Sequence, residues 1–136
     1  MKAMICRKWG SPEVLELAEL EIPEPGPNQV LIRVRASAAN YADLVMLQGN
    51  YQTRPNFPFG PGLECAGEIV KTGKDVSLVK PSQRVLAKLP HSGFAEFAIA
   101  NATSTYAIPD SMPWEHASSF FVAYVSSHAA IRWQGQ

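Results

Sequence analysis

The chain has 136 residues, enough to bury one core and short for two. Apolar side chains make up 46% of it and charged ones 18%, the balance of a folded globular domain rather than a disordered segment. Twelve basic residues face twelve acidic ones, so there is no net basic field of the kind that nucleic-acid or acidic-membrane binding needs.

Met1 to Lys8 carries charges at Lys2, Arg7 and Lys8, and its apolar run is too short for a secretory leader. The longest apolar stretch, Phe120 to Val125, is far short of a membrane span. Cys6 and Cys65 lie in strand-like segments without paired spacing. A reduced, cytoplasmic protein is therefore expected.

Lys2 to Lys8 reads as a first strand. Val14 to Ile22 reads as a second, with a bulge where Leu15, Leu17 and Leu20 break period two. Pro23 to Asn28 is a rigid turn. Val30, Ile32, Val34 and Ala36 alternate with Arg33, Arg35 and Ser37, which predicts a half-buried strand. Tyr41 to Gln48 predicts a short helix stopped by Gly49. Pro55, Pro58 and Pro61 hold an extended loop from Asn50 to Gly62. Leu63 to Thr72, Arg84 to Leu89 and Phe94 to Ala100 read as further strands, with a turn at Gly73-Lys74-Asp75.

The character changes after Pro113, which suits a helix first turn. Trp114, Ala117, Phe121, Tyr124, His128 and Ile131 recur at helical spacing, as one long helix or two short ones closing at Gly135. The fold class expected is mainly β with a C-terminal helix (α+β), built as a partly open β-barrel. The division expected is a β domain over residues 1–112 and a helical connector over 113–136.

No glycine-rich phosphate loop, nucleophile elbow or paired-histidine zinc motif occurs. Five residues carry possible chemistry, each with a plainer reading beside it. Asn40 is placed to cap the helix starting at Tyr41. Asp43 is a helix-start carboxylate favoured by the dipole. Tyr51 is a loop anchor or a ring that stacks on a flat ligand. Glu64, after Gly62, is expected to be partly buried and to need a partner, either in a structural ion pair or in a polar network. Ser126 is a packing serine or a pocket hydroxyl. His91, His116 and His128 have no ligand spacing.

Gly10-Ser11-Pro12-Glu13-Val14-Leu15, Pro23-Glu24-Pro25-Gly26 and Val30-Leu31-Ile32-Arg33-Val34 are followed in order by four further segments. These are Asn40-Tyr41-Ala42-Asp43, Pro61-Gly62-Leu63-Glu64-Cys65-Ala66-Gly67, Gly93-Phe94-Ala95-Glu96-Phe97 and Val122-Ala123-Tyr124. The whole series resembles the N-terminal, GroES-like domain of zinc-independent quinone oxidoreductases, the zeta-crystallin-like branch of the medium-chain dehydrogenases/reductases. The resemblance implies NADPH-dependent hydride transfer to a quinone, a homodimer in the intact protein, and a nucleotide-binding (Rossmann) domain that this chain does not carry. It implies Asn40 and Asp43 as catalytic residues, Tyr51 and Asn40 at the substrate, and Asn40, Glu64 and Ser126 near the cofactor. In zinc-dependent relatives the positions of Asn40 and Leu63 hold a metal-binding cysteine and histidine. An amide and a leucine do not replace them, so no zinc is expected.

Two departures accompany the resemblance. Val45 stands where some relatives have a pocket aromatic, and Ser82-Gln83 replaces a Gly-Asp pair before Arg84, so the turn there forms without glycine. The chain alone is expected to be inactive. The alternatives are a non-catalytic association module and a reductase of enones, alkenals or other activated alkenes.

Overall fold

The computed structural model describes residues 1–134. Its centre is a five-stranded antiparallel sheet curled into a half-barrel. β1 (Lys2–Ile5) and β2 (Glu16–Glu19) form a separate hairpin. β3 (Gln29–Ser37), β4 (Glu64–Thr72), β5 (Arg84–Lys88), β6 (Phe97–Asn101) and β7 (Thr105–Ala107) form the sheet in the order β6-β3-β4-β5-β7. The hairpin closes one side, through the Ala3–Ala95 bridge and the Met4 N–H donating to the Phe94 carbonyl at 2.9 Å.

Val30, Ile32, Cys65, Ile69, Val85, Ala87, Leu89, Ala98 and Ala100 fill the inside of the curl. Burying each large aliphatic side chain contributes roughly 1.5–3 kcal/mol. β3 departs from clean alternation, since Val30, Leu31 and Ile32 are all buried. It is a central strand with β6 and β4 on its two edges, and bulges between Leu31 and Ile32 and between Val34 and Ala36 re-aim its side chains.

The expected bulge in β2 is absent, because β1 and β2 pair without a register shift. Both strands are shorter than expected. Val14 belongs to a 3₁₀ turn (Pro12–Val14), and Cys6 makes only an isolated bridge to Phe59. β7 was not legible as a strand: three residues after the 3₁₀ turn Ala102–Ser104 leave no period to read. Ser82 adopts the left-handed conformation (φ 66°) that a glycine would take without cost, and its N–H donates to the Ile69 carbonyl at 2.7 Å.

α1 (Tyr41–Leu47) runs as expected and ends where Gly49 takes φ 74°. The C-terminal segment is broken. α2 (Trp114–Ser118) stops where the Ser118 and Ser119 hydroxyls donate to the Glu115 carbonyl, each at 3.1 Å. A π-helical stretch (Phe121–Val125), α3 (Ser126–Ala129) and a second π stretch (Ala130–Gln134) follow. The expected stop at Gly135 lies outside the described residues. No helix among the described residues is long and apolar enough to cross a membrane.

Candidate functional site

α1, the start of β4 and the segment after the α2 break meet at one point. Asn40 is the N-cap residue of α1, and the Asp43 side chain folds back onto its backbone. The Asn40 backbone N–H donates to Asp43 Oδ2 at 2.8 Å, and the Gly62 N–H donates to Asp43 Oδ1 at 2.9 Å. Asp43 is 3% exposed, and both its oxygens are engaged. Burial pushes its carboxyl above the ordinary aspartate value, against the pull of these backbone N–H groups. It therefore pins Gly62, whose φ of 109° and close approach to Gly93 leave no room for a side chain.

The Asn40 side chain turns the other way. Its Nδ2 donates to Glu64 Oε1 at 2.9 Å, an orientation required because a carboxylate only accepts. Glu64 Oε2 accepts the Val122 N–H at 3.0 Å. Val122 lies in the first turn after the helix break, where backbone N–H groups lack helical partners and a negative group is favourable. Glu64 is 1% exposed and has no cation within ion-pair distance among the described residues. The ion pair anticipated for it is replaced by two neutral donors from different elements. Burial first, and then the Glu64 charge, push the neighbouring Cys65 thiol up to about 12, so it is no nucleophile at neutral pH.

In front of this clamp lies a cavity of about 230 Å³, lined by Ala42, Tyr51, Leu63, Lys88, Leu89, Phe121, Val122, Val125 and Ser126. A second cavity, of about 350 Å³, shares Tyr51, Leu63, Lys88 and Leu89 with it and adds Gln52, Thr53, Pro90, Asn101 and Ser104. The two form one cleft with an apolar inner lobe and a polar outer lobe. Tyr51 and Ser126 thus face the same space. Asn40, Asp43 and Glu64 sit behind its wall, joined to it through Leu63 and Val122. Lys88 was not singled out from the sequence. In sequence it is only the cation that closes β5, which Arg84 opens.

Asn40 and Leu63 are not zinc ligands, and among the described residues no three His, Cys, Asp or Glu side chains gather to hold an ion. His91 makes a 2.7 Å contact from Nδ1 to Ser92 Oγ, and burial lowers its pKa.

Residues 26–110 match the alcohol dehydrogenase GroES-like domain. The chain belongs to that family. It is 34% identical over 133 residues to a quinone oxidoreductase of Lama guanicoe, covering 96% of this chain and 40% of the relative. The chain thus spans well under half the length of that relative. Among solved structures, the human synaptic vesicle membrane protein VAT-1 homolog-like protein superposes with a TM-score of 0.92 at 30% identity, over 97% of this chain and 42% of that one. The quinone oxidoreductase of Thermus thermophilus, described together with its NADPH complex, superposes at 0.82 with 31% identity, over 96% and 40%. The curled sheet and the α1 cap, which lie within residues 26–110, therefore belong to the GroES-like domain.

Proposed function

We propose that the chain forms the substrate-side wall of a zinc-independent reductase cleft in which hydride passes from NADPH to a quinone. The cleft carries this reading: Tyr51 and Ser126, whose hydroxyls have no protein partner among the described residues, line an apolar lobe backed by a fixed amide. That donor set fits a flat ring bearing a carboxamide or carbonyl. NADPH, when bound, supplies the hydride.

The chain's own residues do the rest. Ser126 offers a hydrogen bond to the nicotinamide carboxamide. Tyr51 stacks on the acceptor ring at the junction of the lobes. Asn40 lines neither lobe and acts on the cleft through Glu64, whose carboxylate holds the Val122 backbone in the wall. Asp43 and Glu64 act as positioning residues, since their oxygens are spent on the backbone and on Asn40. The boundary near residue 112, a cytoplasmic location and a homodimer of the intact protein belong to the same reading.

The test is NADPH oxidation with a soluble quinone and with an enone, by this chain and by its full-length parent. Faster quinone turnover by the parent supports the reading. Faster enone turnover moves the assignment to an alkene reductase. Saturable quinone binding without any turnover by the parent would leave an association module.

A further inference from the structure

Lys88 closes β5 directly opposite Glu64 in the β4–β5 register, so the two side chains leave the same face of the sheet. They do not pair. Glu64 is buried and fully engaged by Asn40 and Val122, whereas Lys88 is exposed and lies outside every ion pair among the described residues. Its ammonium sits 5.9 Å from the Phe121 ring centroid, at the edge of the apolar lobe. It lines both lobes of the cleft, as Tyr51 does. The outer lobe around it offers neutral donors and acceptors (Gln52, Thr53, Asn101, Ser104) and no carboxylate.

A free cation at the waist of a cleft with one apolar and one polar lobe sorts ligands by charge. We propose that Lys88 is a specificity-determining residue that selects acceptors bearing a carboxylate. The ring lies in the inner lobe against Tyr51, and the carboxylate lies in the outer lobe on the Lys88 ammonium. This rests on the cleft being an acceptor site, as proposed above, and adds the class of acceptor. The carboxylate meets a compact charge with three donors, and the neighbouring amides and hydroxyls satisfy its remaining lone pairs.

The test compares a naphthoquinone bearing a carboxylate side chain with its methyl ester, which keeps the ring and removes the charge. Dissociation constants are measured by calorimetric titration against the wild-type chain, Lys88→Met and Lys88→Arg. The expected result is about fivefold tighter binding of the acid, the upper range for an exposed ion pair. The preference should vanish in Lys88→Met, persist in Lys88→Arg, and shrink at high salt. Equal affinity of the wild type for acid and ester, or an unchanged preference in Lys88→Met, overturns the inference. In that case, ester binding and its NADPH-driven reduction by the parent would leave the quinone assignment standing. Failure of both compounds to bind overturns the two together.

Discussion

Glu64 is the residue on which the geometry of the cleft wall turns, and removing it gives a measurable cost. Glu64→Ala strands two buried or half-buried donors, Asn40 Nδ2 and the Val122 N–H. Each unsatisfied group costs about 1–3 kcal/mol. Part of this is offset, because a buried carboxylate without a cation carries its own desolvation penalty. The expected net loss is about 3 kcal/mol, a large share of the 5–15 kcal/mol typical of a domain. Glu64→Gln keeps one acceptor but turns an amide donor toward one of the stranded N–H groups, and should lose about 1–2 kcal/mol. Urea unfolding followed by circular dichroism reads both values. A double-mutant cycle with Asn40→Ala should return a coupling of at least about 1 kcal/mol. A Glu64→Ala loss below about 0.5 kcal/mol, or strict additivity with Asn40→Ala, would refute the clamp.

Ser82→Gly should raise stability by about 0.5–1 kcal/mol. Release from a left-handed conformation worth about 1–2 kcal/mol outweighs the added chain entropy of glycine. A raised thermal midpoint checks it. Gly62→Ala should cost about 2 kcal/mol or more in the same assay, because its Cβ would lie 2.6 Å from the Gly93 backbone at φ 109°. The Asp43 carboxyl is raised in the folded state, so between its ordinary value of 3.8 and that raised value the folded chain binds more protons than the unfolded one. Wild type should therefore lose stability relative to Asp43→Asn as pH rises through this window, with no further change above it. Equilibrium unfolding at a series of pH values checks the sign. Tyr124, Ile131 and Trp133 are 62%, 71% and 83% exposed, so Ile131→Lys with Trp133→Lys should reduce binding of a hydrophobic fluorescent dye and self-association on size exclusion.

The local rules of the chain were legible where one or two residues decide the backbone. Asn40 before Tyr41 and Gly49 after Gln48 bounded α1, and Ser82 in place of glycine marked a costly turn. Those features rest on short-range sterics and capping. The partners of Glu64 were not legible, since they lie 24 and 58 residues away and depend on how α1 and the C-terminal segment dock. Partial burial was expected from its place after Gly62, but its full burial and the choice between a cation and neutral donors are made by tertiary packing. The helical period from Trp114 to Ile131 left one long helix and two short ones open, because apolar spacing survives the break, while Ser118, Ser119 and the Glu64 carboxylate interrupt the backbone ladder. Lys88 carries no sequence signal beyond closing β5. Its place at the waist of the cleft appears only when β5 is set between Leu63 and the Phe121 turn.

The most direct measurement is an NMR titration of the isotope-labelled chain with a soluble quinone. Saturable shifts are expected at the backbone amides of Tyr51, Leu63, Lys88, Leu89 and Ser126, which border the cleft. A larger apolar groove of about 530 Å³, lined in part by Ile108, Met112 and Phe120, is the internal competitor. Shifts confined to that groove, or no saturable shifts at all, would contradict the cleft as the acceptor site.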